Sequence, residues 1–436
     1  MNLNALSSIF HINDAVITKA ELLQEIESLS QTLYNTPAQR WALCFKDSYR
    51  FMVTLLSLLV AEKTPVLLPS YKPGTIIQFR ETFDAILSDL EDIASTSLSQ
   101  NHGHKKPLDA ALDPHQKIIF YTSGTTGTPQ RIERSLQAIE NEILTLEETF
   151  GNIMDDATIY STVSHQHIYG LLFYIFWPLF SGRCIQFPII NYPSTMQKII
   201  RNEGTSVLIS SPSFLSRLDS QADRKSSLLV FSSGSLLTES MALQLAQQSN
   251  IIPFEVLGST ESGGIAFRQQ CLSPDWQVLP NVSISVEPVT QQLRVQSPHF
   301  DGGEIMLGDK VQLNSDGSFN LLGRVDRIVK IEGKKICLTE LQTKVQEHPW
   351  VKEAYALPLE AHRLYIGLVI ILNATGRITL REQGNLPIKR SIQSWLAQFY
   401  DPIVLPKTIR YVEAFPVNAQ GKIVLQDMTA LWGETK

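Results

Sequence analysis

The residues best suited to chemistry lie in Tyr121-Thr-Ser-Gly-Thr-Thr-Gly-Thr-Pro-Gln130, directly after the apolar run Lys117-Ile-Ile-Phe120. Consecutive amides in a loop of this kind point inward and form a concave cradle for an anion. Thr122, Ser123, Thr125 and Thr126 add hydroxyl donors, and Gly124 and Gly127 let the backbone approach a ligand closely. A phosphate is the natural guest. A polar surface turn uses the same residue types, but their density behind an apolar strand favours the cradle. The loop lacks the Gly-Lys-Ser/Thr ending of a Walker sequence, so ordinary NTPase chemistry is not implied.

The elements that must position this loop read as an α/β pattern. Leu22, Leu23, Ile26, Leu29 and Leu33 recur at helical spacing and predict a helix over about 14–34. Trp41–Phe45 reads as a buried strand, Phe51–Val60 as an apolar helix and Thr64–Pro69 as a second strand. Strand, helix, strand implies a parallel crossover. The polar stretch 95–113 reads as a surface loop, and a helix is predicted over 136–150. Ile159–Val163, Val207–Ser211, Leu228–Gly234 and Phe254–Glu261 repeat one grammar, an apolar strand followed by small polar residues. In open α/β sheets ligands sit beyond the carboxyl ends of strands, so these loops are expected to converge on one crevice. Short alternating segments from Val282 to Phe319, with a hairpin signal at Asp316-Gly317, predict a small β subdomain. A compact mixed unit then follows. Thr339 and Gln342 read as a capping box opening a helix that carries Leu341 and Val345. Strands are expected around Tyr355 and over Leu364–Leu372, a helix over about 388–399, and a last strand over Thr408–Phe415. The expected organisation is a large α/β-layered domain with a β subdomain over 1–325, and a small mobile α+β domain over 326–436.

Composition narrows the class. The 436 residues are 43% hydrophobic and 18% charged, ordinary values for a globular protein. A net charge of -6 offers no basic surface for nucleic acid. The four cysteines, Cys44, Cys184, Cys271 and Cys337, are far apart and form no metal spacing. Unpaired, mostly buried thiols in a reducing cytoplasm are the simplest expectation. No secretory signal is visible, and the most apolar stretch, Leu171–Phe180, is too short to span a bilayer.

Five landmarks in order resemble the adenylate-forming superfamily of acyl- and aryl-CoA synthetases, peptide-synthetase adenylation domains and luciferases. They are Tyr121–Pro129, Leu257-Gly-Ser-Thr-Glu261, Gly308-Asp309, Gly323-Arg-Val-Asp-Arg-Ile-Val-Lys-Ile-Glu-Gly333, and Pro416–Lys422. His167-Ile-Tyr-Gly170 and Ser233-Gly-Ser-Leu-Leu237 are weaker echoes. The resemblance runs from Phe51 to the end of the chain. It implies two half-reactions, in which a carboxylate and ATP give an acyl-adenylate and pyrophosphate, and a phosphopantetheine thiol of coenzyme A or a carrier protein then displaces AMP.

By the same resemblance, the loop from Thr122 to Gly127 holds the nucleotide phosphates, the turn Gly258, Ser259, Thr260 binds the nucleotide, and Glu261 is a magnesium ligand. Ser233, Gly234 and Ser235 pass along the adenine, Asp309 binds the ribose hydroxyls, and Arg324 holds ribose or phosphates. Lys422 bridges the carboxylate and the α-phosphate. Asp326 is the hinge about which the small domain turns for the second half-reaction, with Lys330 and Gly333 beside the thiol tunnel. His167 lies beside the acyl pocket; Tyr169, Phe173 and Trp177 are consistent with either pocket or core.

The chain departs from the family pattern in three places. Gln130-Arg131 replaces Lys-Gly after the loop, with Arg131 as a substitute charge. Leu257 replaces the tyrosine that stacks on adenine. The chain is also short for the family, contracted in its first hundred residues and again before Gly308. Short free-standing ligases of this kind are similar to those placed beside carrier proteins, including in aryl polyene clusters, which implies a carrier-protein acceptor and an aromatic or short acyl acid. The rival readings are a catalytically weak nucleotide-binding or regulatory protein, supported by the missing Lys and Tyr, and a phosphotransferase releasing ADP.

Overall fold

The sequence's own stop and start signals set the first elements. Thr18 accepts a hydrogen bond from the Glu21 amide while the Glu21 carboxylate accepts from the Thr18 amide, a capping box that starts the helix at Lys19 rather than near residue 14. Ala15–Ile17 is instead a strand, antiparallel to Phe10–Ile12. Asp47 caps the helix Ser48–Val60 by accepting from the Tyr49 and Arg50 amides. That helix is buried at nearly every position, which is why its sequence shows an apolar run and no polar stripe.

The computed structural model describes residues 1–6, 10–12, 15–69, 71, 73–98, 111–122, 130–200, 205–218, 227–235, 237–324, 327–331, 334–360, 364–417 and 423–433. Within these, side chains are not described at 5, 73, 197–200, 227, 328, 330, 334 and 335. The chain divides into two compact units. The first comprises Met1–Ile284, Val295–Ile305 and Ser315–Ser318, and the second Ser285–Arg294, Met306–Asn314 and Phe319–Lys436. The expected boundary, 325/326, falls outside the described residues.

In the first unit a five-stranded sheet runs in the order Ala85–Ser88, Arg40–Cys44, Thr64–Leu67, Lys117–Thr122, Gln130–Ser135. All neighbours are parallel except the last pair. The strand Gln130–Ser135 was not expected from the sequence. Its partner closes the hydroxyl-rich loop at Thr122↔Gln130. A nine-stranded sheet has at its centre the parallel strands Phe254–Ser259, Ser227–Ser232, Thr205–Ser210, Thr158–Ser161 and Cys184–Phe187. Gly263–Arg268 pairs antiparallel with Phe254–Ser259. The helix Leu136–Met154 carries Phe150 into the core, where its ring meets Phe231, Phe254 and Phe267 at centroid distances of 5.1, 5.3 and 5.0 Å. Leu171–Phe180 is buried helix, wound as a π-helix over Leu171–Phe176.

A four-stranded sheet of Ser283–Val286, Gln292–Gln296, Ile305–Leu313 and Phe319–Arg324 forms the β segments expected over 282–319. In the second unit Ile328–Ile331 and Lys334–Cys337 form a hairpin. A three-stranded sheet of Val351–Glu360, Leu364–Leu372 and Thr408–Tyr411 packs its apolar face on the helices Leu338–Gln346 and Asn385–Leu396. The expected capping box at Thr339 does not form, because the helix starts at Leu338 and its cap position is Cys337, two residues earlier. Gln342 instead accepts from the Ala356 amide and from Arg327. Of the four cysteines, all free, only Cys44 is buried; burial pushes its thiol up to about 12. Among the described residues no helix is long and apolar enough to cross a membrane.

Candidate active site

Four of the five central parallel strands of the nine-stranded sheet end in serine, and hydrogen bonds join some of these ends to their neighbours. Ser210 lies level with Ser232 on the next strand. Thr162 and Ser210 share a hydroxyl–hydroxyl hydrogen bond of 2.9 Å, and the Ser233 hydroxyl donates to the Val256 carbonyl at 2.8 Å. Ser232 is buried, and its hydroxyl has no hydrogen-bond partner among the described residues. Beyond it Gly234 takes φ +90°, a conformation a side chain would strain, and Gly234 and Ser235 stand exposed. These strand ends are therefore neighbours along one edge of a parallel sheet.

The segment Gly258–Glu261 is the end of the strand Phe254–Ser259 and the turn that follows. A Cβ at Gly258 would lie 2.5 Å from the Gly263 carbonyl oxygen, so only glycine lets the two antiparallel strands close here. The turn is laced by Ser259 and Ser262, whose hydroxyls lie 3.0 Å apart and each accept from the other's amide. Leu257, Ser259, Thr260 and Glu261 are half-exposed. Among the described residues no group of three or more His, Cys, Asp or Glu could hold a metal ion. One carboxylate on a turn suits magnesium that brings phosphate oxygens and water as its other ligands, and does not suit a free-standing metal.

Behind this turn lies a network the sequence reading missed. Arg134, on Gln130–Ser135, donates to the Thr260 carbonyl at 3.1 Å, to Glu142 at 2.9 Å and to the His299 carbonyl. Glu142 accepts from the Gly264 amide at 2.6 Å. One signal was available: Glu142 falls on the same helical stripe as Ile139 and Leu146, where an unpaired carboxylate is costly.

His165, Gln166 and His167 follow the strand Thr158–Ser161. His165 is buried between the Ser48 hydroxyl at 2.9 Å and the Phe45 carbonyl at 3.1 Å. Burial holds it down to about 4, so it is neutral. His167 is half-exposed and its carbonyl caps the following turn by accepting from Leu171 at 2.7 Å. Tyr169 packs on Phe173 at 4.9 Å, and Phe173 on Trp177 at 5.5 Å. Phe173 and Trp177 are core residues. Arg131, the expected substitute charge, is paired with Glu133 at 2.6 Å.

In the second unit Asp309 and Arg324 are partners across antiparallel strands, with Arg324 Nη1 3.4 Å from Asp309 Oδ2. Lys330 lies in the hairpin strand Ile328–Ile331 opposite Lys335. Ser123, Gly124, Thr125, Thr126, Gly127, Asp326, Gly333 and Lys422 lie outside the described residues. Val417 and Ile423 form an isolated antiparallel bridge.

Comparison with known proteins agrees with this geometry. The family model of AMP-binding enzymes matches residues 75–308. A dimodular nonribosomal peptide synthase of Bacillus subtilis is 24% identical over 67% of this chain, which spans only 14% of that protein's length. A 3,4-dihydroxybenzoate–[aryl-carrier protein] ligase of Bacillus anthracis is 24% identical over 92% of this chain and 93% of its own. The solved structure of O-succinylbenzoate coenzyme A synthetase from Bacillus subtilis, in complex with AMP, has the same fold. It superposes with a TM-score of 0.80 at 15% identity, covering 97% of this chain and 95% of that one.

Proposed function

The chain belongs to the AMP-binding enzyme family, within the adenylate-forming superfamily, and on that premise we propose that it is an ATP-dependent acid–thiol ligase. In the first step a carboxylate oxygen attacks the α-phosphorus of ATP, the bond to the β,γ-pyrophosphate breaks, and an acyl-adenylate forms. In the second a phosphopantetheine thiolate attacks the acyl carbon, and AMP leaves as the thioester forms. The observation that carries the reading is the run of strand ends finishing in Thr162, Ser210, Ser232-Ser233-Gly234 and Gly258-Ser259 along one sheet. Donors fixed before the reaction stabilise charge without reorganising.

The loop from Thr122 to Gly127, with Ser259 and Thr260, receives the phosphates, while Gly234 and Ser235 flank the base. Glu261 holds magnesium, which when bound neutralises charge on the phosphates. Asp309 and Arg324 hold the ribose. Lys422 brings the carboxylate and α-phosphate together by neutralising both. Asp326 is the hinge of the second half-reaction, with Lys330 and Gly333 beside the thiol. His167 stands beside the acyl group. We take a carrier protein as the acceptor and an aromatic or short acyl acid as the substrate, with a cytoplasmic setting. The support is the near full-length similarity to the aryl-carrier protein ligase. Offering holo carrier protein and coenzyme A in parallel, with ATP and a panel of aryl and short acyl acids, tests this. Thioester on the carrier is expected; thioester on coenzyme A alone would overturn the acceptor, and release of ADP would overturn the reaction.

A further inference from the structure

We propose that Arg134 is a positioning residue that ties the strand Gln130–Ser135 to the turn carrying Glu261, acting through a buried ion pair with Glu142. The proposal rests on the assignment of the phosphate loop and the Glu261 carboxylate to magnesium–ATP. The Arg134 and Glu142 side chains are 1% and 2% exposed, with Nη2 2.9 Å from Oε2. A buried pair of this kind is poor evidence for stability, since apolar residues of similar volume often serve as well. What sets this one apart is where its remaining hydrogen bonds go.

Two of them end on the hairpin that holds Glu261, and the third ends on His299, which is itself bonded to that hairpin. Arg134 Nη1 donates to the Thr260 carbonyl at 3.1 Å, the peptide group immediately before Glu261. Glu142 Oε1 accepts from the Gly264 amide at 2.6 Å, three residues after it. His299, whose carbonyl accepts from Arg134, places Nδ1 2.9 Å from the Gly264 carbonyl and Nε2 3.0 Å from the Thr145 hydroxyl. The backbone is thus held on both sides of Glu261. The planar fork of arginine can serve the Glu142 carboxylate and the Thr260 carbonyl together; a single ammonium cannot reproduce that geometry.

The other end of the linkage is the strand that follows the phosphate loop in sequence. Arg134 stands on the strand Gln130–Ser135, whose first residue pairs with Thr122 and closes the loop. A shift of that strand moves the Arg134 guanidinium, and with it the Thr260 carbonyl. The same hairpin offers an internal control. Glu255 and Arg268 form a second buried pair at its far end, 2.9 Å apart, but among the described residues Arg268 otherwise reaches the Pro274 carbonyl and the Trp276 ring.

The test compares Arg134→Lys, Glu142→Gln and Arg268→Lys with the wild type. Two quantities are read: the rise in melting temperature caused by magnesium–ATP, and the magnesium concentration giving half-maximal ATP–pyrophosphate exchange. Arg134→Lys and Glu142→Gln are expected to lose at least half of the magnesium–ATP-induced rise. They should also need about tenfold more magnesium, the scale of one lost hydrogen bond to a charged group. Arg268→Lys is expected to lower the ligand-free melting temperature and leave both readouts unchanged. Either Arg134→Lys or Glu142→Gln, if folded, suffices for the reading. Unchanged readouts in them, beside a responsive wild type, overturn the coupling alone. A wild type that does not respond to magnesium–ATP overturns the nucleotide assignment, and the coupling with it.

Discussion

Asp309 and Arg324 sit opposite one another on neighbouring antiparallel strands, and the guanidinium leans across residue 308, where a Cβ would lie 2.9 Å from Nη2. The contact is long, 3.4 Å, and Arg324 is 44% exposed. A pair of this kind contributes at most about 1 kcal/mol to stability. Its role is therefore expected to show in nucleotide binding. Asp309→Ala should raise the ATP concentration for half-maximal pyrophosphate exchange roughly ten- to hundredfold, through lost hydrogen bonds to a charged group. Its melting temperature should move by no more than about 4 °C. A large fall in melting temperature with unchanged ATP dependence would make the pair structural.

His165 sets part of the acid limit of stability. Burial is the main cause holding it down to about 4, against the smaller opposing pulls of the Phe45 carbonyl and of Asp89 and Asp47. Because the folded state binds this proton less readily than the unfolded chain, stability is complete above about pH 6.5 and declines as pH falls toward 4. The shift from 6.5 to about 4 corresponds to a loss on the order of 3 kcal/mol by pH 4. His165→Gln, which can keep both neighbours as hydrogen-bond partners, should flatten this part of the curve. Urea unfolding of both proteins between pH 7 and 4 checks it; parallel curves would refute the assignment.

Gly258 is required by its neighbour across the hairpin as well as by any ligand. Gly258→Ala brings a methyl against the Gly263 carbonyl oxygen and the Gly264 Cα, at 2.5 and 3.1 Å, both backbone atoms with little room to yield. A loss of about 1–3 kcal/mol is expected from overpacking, together with slower pyrophosphate exchange. Gly303→Ala, where nothing lies within 4 Å of the added atom, should match the wild type in both.

Much of the fold was legible because burial imposes period and capping imposes boundaries. The run Phe51–Val60 and the strand ends at Ser210 and Ser232 read directly, since each is an apolar segment stopped by small polar residues. The strand Gln130–Ser135 was hidden by Arg131, Glu133 and Arg134, whose charges look like loop. Two of them pair with each other at the surface, and the third is buried against a residue eight positions on. The helix Ala374–Gln383 was missed because its capping by Asn373 and its stop at Gly384, with φ +79°, are local signals on a weakly apolar segment. Thr339 misled because a capping box depends on where the helix starts, and the bonds made by Gln342 to Arg327 and Ala356 outweighed it. The family resemblance proposed Glu261, Asp309 and Arg324, whereas the bonds from Arg134 to Thr260 and His299, and from Gly264 to Glu142, join residues over a hundred positions apart.

Lys422 is assigned to the first half-reaction alone. Lys422→Ala should abolish acyl-adenylate formation while leaving thioester formation from a supplied acyl-adenylate largely intact. Single-turnover assays of the two steps separate them, and equal loss in both would remove the assignment.

The most direct measurement is acid-dependent ATP–pyrophosphate exchange by the wild-type chain across aryl and short acyl acids. The expected result is exchange that requires a particular acid and magnesium, accompanied by release of AMP once a thiol acceptor is added. Absence of exchange with every acid while ATP still binds would contradict adenylation and favour a nucleotide-binding role, and release of ADP would point to phosphoryl transfer instead.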